Sequence, residues 1–107
     1  MKINDIKPGI CLSYPEAPFS LALFLIDKVY YLNEDFYSLA GGYIRLKDGH
    51  YFYAFMKVID RNCTTAQNIN ASVKVSRTLF DEAKAKYDEY LSSISDITRR
   101  IHTELQQ

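Results

Sequence analysis

The last thirty residues constrain the fold most. From Thr78 to Gln107 there is no Gly and no Pro, and Phe80, Tyr87, Ile94 and Ile101 recur at intervals of seven. Ala83, Tyr90 and Ile97 fall between them, and Leu91 and Leu105 widen the stripe. Apolar side chains at this spacing line one face, so the segment reads as one long amphipathic helix. Thr78 is placed to cap it, with Asp81 in the position of a capping-box acid. Asp81 and Glu82 put negative charge where the helix dipole favours it. Glu82–Lys86 and Asp96–Arg100 are i,i+4 pairs with the acid first, each expected to add about 0.3 kcal/mol.

A continuous helix of this length is roughly 43 Å long at ~1.5 Å per residue. A compact domain of about this size has a diameter of roughly 33 Å. The helix is therefore expected to overhang its own body by about two turns. Two packings fit the stripe. In a coiled coil, Phe80, Tyr87, Ile94 and Ile101 take a and Ala83, Tyr90 and Ile97 take d. The flanking positions then hold Lys84, Lys86 and Arg100 with no acid opposite, so a parallel homodimer gains no charge pairs. Alternatively the broader stripe, with Leu91 and Leu105, lies on a sheet. The first half suits a sheet. The second half suits a partner chain, with Ile94, Ile97, Ile101 and Leu105 as the expected interface of an antiparallel homodimer. A break at Ser92–Ser95, with Ser95 capping a short final helix, is the third arrangement.

Residues 1–77 read as a β-rich body. Lys7-Pro8-Gly9 is a turn that launches a strand over Ile10 to Tyr14, and Pro15 and Pro18 bracket a loop. Phe19 to Leu32 reads as a central strand with both faces apolar, although Leu21, Phe24, Leu25 and Lys28 also have helical spacing. Val29, Tyr30 and Tyr31 favour the strand. Asn33-Glu34-Asp35 is a turn, Phe36 to Leu39 a short strand, and Ala40-Gly41-Gly42 a second turn. Asp48-Gly49 between Tyr43–Lys47 and His50–Ile59 predicts a two-residue hairpin. That register pairs Ile44 with Tyr53 and Arg45 with Phe52. Ile44, Leu46, Tyr51, Tyr53 and Phe55 then share the expected core face. Asp60 to Asn70 reads as a polar loop, and Ser72 to Ser76 as a last strand. A single α+β domain follows: a small curled antiparallel sheet, on the pattern of a partly open SH3-like barrel, then the long C-terminal helix.

Composition narrows the function. The 107 residues carry a formal net charge of zero and 48% apolar residues. A real core is available, and no global charge points to nucleic acid or membrane. The start of the chain lacks an apolar signal segment, so a cytoplasmic protein with free Cys11 and Cys63 is expected. Cys11, His50, Cys63 and His102 are too dispersed for metal-ligand spacing. Cys63 with His50 is the one nucleophile–base pair to consider, and a loop residue beside a turn is the plainer reading. Gly41-Gly42 lacks a phosphate-loop pattern. No cofactor and no catalytic activity are expected.

The other face of the hairpin mixes rings with cations: Tyr43, Arg45, Lys47, His50 and Phe52. Such a mixture suits a protein interface, where Tyr and Arg are enriched. It also suits stacking of bases with phosphates held by cations. A structural role is the third reading: if the sheet closes into a barrel, the chain itself covers Phe52. The expectation is a small binding protein, a regulator, inhibitor or accessory subunit of a bacterium or mobile element, whose partner is another protein. A nucleic-acid-binding small barrel is the alternative.

Overall fold

The computed structural model describes residues 6–16, 20–31 and 36–106, and all but the side chain of Tyr31 among them. The turn expected at Asn33-Glu34-Asp35 lies outside these residues. In chain order the elements are β1 (Cys11–Glu16), β2 (Ser20–Tyr31), β3 (Tyr37–Arg45), β4 (Tyr51–Val58), α1 (Thr64–Ala71), β5 (Val73–Val75) and α2 (Arg77–Leu105). The strands form one sheet in the order β4-β3-β2-β1-β5, with antiparallel neighbours throughout. The sheet is open. It curls enough for α1 to pack against both β1 and β4.

Residues 20–31 are the long central strand, which the aromatic and β-branched residues at its end favour. A bulge at Asp27 interrupts the pairing with β3, between Ile26 and Lys28. β3 runs unbroken through Ala40-Gly41-Gly42, where a turn was expected. The two glycines answer to crowding instead. A Cβ on Gly41 would lie 2.0 Å from the Leu25 carbonyl oxygen. A Cβ on Gly42 would lie 2.7 Å from Cζ of Phe80. Glycine here permits close approach inside a strand.

The hairpin exists, but its loop is longer than two residues. Tyr43 pairs with Phe52 and Ile44 with Tyr51. The Arg45 N–H donates to the His50 carbonyl at 2.9 Å, and the Gly49 N–H donates to the Arg45 carbonyl at 2.7 Å. Leu46 to Gly49 therefore form the loop, with Gly49 at φ +70°. The register differs from the expected one by two residues. An even shift leaves each side chain on its face.

Which face is the main core differs from expectation. The larger core lies inside the curl, on the face of Leu12, Phe24, Leu39, Tyr43, Ala54 and Val58, and α1 adds Ala66 and Ile69. The expected core face is the outer one. Its buried part is small: Cys11, Leu23 and Ile44 beneath Phe80 of α2, with Tyr51 and Ala83 alongside. Beyond that patch Tyr53 and Phe55 are 53% and 67% exposed. Both faces are rich in rings, so alternation cannot tell concave from convex.

The segment read as a polar loop is α1. Cys63 caps it, its Sγ accepting the Ala66 N–H at 3.4 Å. Only Ala66 and Ile69, three apart, are buried on it. Ser72 follows, buried, its Oγ donating to the Asn68 carbonyl at 2.8 Å.

α2 is continuous through Ser92–Ser95. Its cap is Ser76, two residues before the expected Thr78, with Oγ accepting the Thr78 N–H at 3.2 Å. The ion pairs along it include Arg77–Asp81 at 3.9 Å, Lys84–Asp88 at 2.6 Å and Asp96–Arg99. The overhang is far greater than two turns. Phe80 is the one buried residue of α2, and every described residue from Asp88 onward is exposed. The result is an extended shape, 62 × 26 × 24 Å, with a radius of gyration of 17.2 Å. A compact chain of about 100 residues would give roughly 13 Å.

Candidate interaction surface

Two surfaces merit comparison: the mixed face of the hairpin and the uncovered part of α2. Tyr43 is 7% exposed and belongs to the inner core. Its ring lies 5.9 Å from that of Tyr14 and 4.9 Å from that of Phe52, and its hydroxyl donates to Glu16 Oε2 at 2.9 Å. Burial, then the bond to Glu16, push the phenol well above its ordinary range. Arg45 turns to Asp48, with Nη2 2.8 Å from Oδ2. The backbone N–H of His50 donates to Asp48 Oδ1 at 2.9 Å and, with Arg45, holds that carboxyl below its ordinary value. Lys47, His50 and Phe52 remain on the surface. The His50 ring stands between Phe52 at 5.9 Å and Tyr87 of α2 at 5.7 Å. Of the five expected binding residues, then, three face solvent, one is a loop brace and one is core.

α2 offers a longer surface. Its first three turns are anchored. The Phe80 ring meets that of Tyr51 at 6.3 Å, and Tyr51 meets Tyr87 at 6.0 Å. Lys84 Nζ sits 4.5 Å from the Tyr51 ring centre, a cation–π contact. Past Tyr87 the stripe continues through Tyr90, Leu91, Ile94, Ile97, Ile101 and Leu105, with Leu105 78% exposed. All four residues expected to form an oligomer interface lie on this arm. Tyr90 and Leu91 extend the same stripe and were not singled out.

Where the arm leaves the body, a groove of about 520 Å³ opens between the hairpin loop and α2. Leu46, Leu79, Ala83, Tyr87 and Tyr90 supply apolar walls, and Asp48, Glu82 and Lys86 supply its charges. Sequence reasoning missed it because Leu46 was counted as core. A second exposed apolar group stands on the outer sheet face, where Tyr30 and Phe55 stack at 5.7 Å. Beside it the Tyr53 hydroxyl donates to Asp27 Oδ2 at 2.6 Å, which raises the phenol to about 12.

Among the described residues no three His, Cys, Asp or Glu side chains are grouped to hold a metal ion. No described helix is long and apolar enough to cross a membrane. Comparison with family models, with curated proteins and with solved structures finds no match to this chain.

Proposed function

We propose that this chain is a small non-catalytic protein that acts by binding another protein through the second half of α2. One observation carries the reading: an apolar stripe runs from Tyr90 to Leu105 on a helix that has left its own body. Burying a large apolar side chain stabilises by about 1.5–3 kcal/mol, and six such side chains here gain little of it within the chain. Contiguous apolar surface on this scale marks an interaction site. A helix presenting residues at i, i+3, i+4 and i+7 is also a recurrent means of docking to a protein. The hairpin face supports the reading less, because Tyr43 and Arg45 are engaged within the chain.

The test uses immobilised protein. Wild type is expected to retain its protein partner, and Phe55→Ser, altered on the outer sheet face, to retain it equally. Ile97→Asp combined with Ile101→Asp should release it. Equal retention by this double variant would remove the arm from the account. Binding of single-stranded DNA at low salt, weakened by Lys47→Ala, would favour the hairpin as a nucleic-acid surface instead.

A further inference from the structure

We propose that the partner of the arm is a second copy of this chain, packed antiparallel over residues 86–105, with each C-terminal end seated in the other copy's groove. This rests on the reading of the arm as an interaction surface and names its occupant.

The placement of the body on the helix sets the direction. Phe80 and Tyr87 carry the chain's own sheet on the same stripe that Ile94 and Ile101 leave bare. In a parallel pair, a second helix on that stripe would run on into the space held by the sheet. In an antiparallel pair it ends where the sheet begins, at the level of Tyr87. The two bodies then stand at opposite ends of the assembly.

The register follows from the longest overlap that keeps Phe80 and Ala83 on their own sheet. Ile94 of one copy then lies against Ile97 of the other, and Tyr90 against Ile101. These are the a–d layers of an antiparallel coiled coil. In the same register Ile101 and Glu104 of the second copy come beside Tyr90 and Lys86, on the side of α2 where the groove opens. The last turn of each helix thus covers the groove of the other copy.

Charge agrees with this direction. Glu104 occupies a d position near the end of the stripe. A parallel pair would set Glu104 against Glu104. The antiparallel pair sets it beside Lys86 of the other copy, twice by symmetry. Two helices in contact over about 30 Å, with two seated ends, bury on the order of 1,200 Å², the lower bound for a specific pair.

Sedimentation equilibrium from about 1 to 100 µM tests the occupant. Wild type is expected to be a dimer, and the Ile97→Asp, Ile101→Asp variant a folded monomer that keeps its sheet and melts lower, because the stabilisation by association is lost. Leu105→Asp should raise the dissociation constant about tenfold or more. Orientation is read from nitroxide labels on Gln106→Cys in a chain that also carries Cys63→Ser. The antiparallel register puts the two labels about 30 Å apart or more along the helices. Labels within roughly 20 Å would mean a parallel pair and overturn the proposal. A wild-type monomer at the highest concentration overturns the second copy as occupant but leaves the arm as an interaction surface. A double variant that stays dimeric, or that unfolds, overturns both.

Discussion

The ring of Phe80 occupies the space in which residue 42 would carry its side chain. A Cβ on Gly42 would come within 2.7 Å of Phe80 Cζ and 3.0 Å of Tyr51 Cε2. A bare patch on β3 is therefore what lets α2 sit on the outer sheet face. Phe80 is the only buried residue of that helix, so this contact is its main anchor.

Gly42→Ala should accordingly destabilise by about 1–3 kcal/mol, the usual cost of overpacking. The cost should shrink when Phe80 is also Ala, because the clash partner is gone. Urea unfolding of the two single variants and the double variant measures the coupling. Full additivity would mean that the helix does not bear on Gly42.

Gly49 stands at φ +70° in open space, so its constraint is conformational. Gly49→Val forces a β-branched residue into the left-handed region and should cost about 1 kcal/mol or more. A thermal melt decides it. An unchanged midpoint would argue against the loop at Leu46–Gly49.

The helix was legible from Phe80 to Leu105 because a period near 3.6 sustained over that length has few other meanings. The strands were legible too, but their punctuation misled. Gly41 and Gly42 read as a turn, since glycine pairs often are one. What they answer to is the approach of Leu25 at the Asp27 bulge and of Phe80 from α2, and both are long-range contacts. Asp48-Gly49 marked the hairpin correctly and its length wrongly: backbone bonds from Gly49 to Arg45 and from Arg45 to His50 close the loop, so Leu46 and Lys47 join it. α1 was missed because two apolar residues, Ala66 and Ile69, are too few to set a period. Among the expected binding residues, Tyr43 was misplaced for the reason that affects the whole face. Alternation separates two faces without saying which one the sheet curls around.

The two thiols should differ in reactivity. Burial pushes the Cys11 thiol up to about 11, and it is 1% exposed. At Cys63 partial desolvation is outweighed by backbone hydrogen bonds, that of Ala66 foremost, so the thiol lies below its ordinary value. The thiolate is the reacting species. A maleimide at neutral pH should modify Cys63 and leave Cys11 intact in the folded protein, as peptide mass mapping would show. Modification of Cys11 at a similar rate would contradict its place beneath α2.

Stability should fall in alkali. The folded chain holds the Cys11 proton more tightly than the unfolded chain, so the contribution is complete below about pH 9. It is lost as pH rises through about 11. The sum is on the order of 2 kcal/mol. Tyr37 and Tyr43, both raised by burial above their ordinary value, extend the decline upward. Urea unfolding across this range should show it. Cys11→Ala should flatten the part between pH 9 and 10, and an unchanged slope there would count against a buried thiol.

The covered arm is tested most directly by hydrogen exchange along α2. A free helix of about 18 residues is marginal in water, so an uncovered arm frays. Tyr90 to Leu105 should be protected in wild type, should lose protection on dilution, and should exchange fast in the Ile97→Asp, Ile101→Asp variant. Sheet amides should stay protected in both proteins. A wild-type arm that exchanges as fast as the variant's at every concentration would contradict the account.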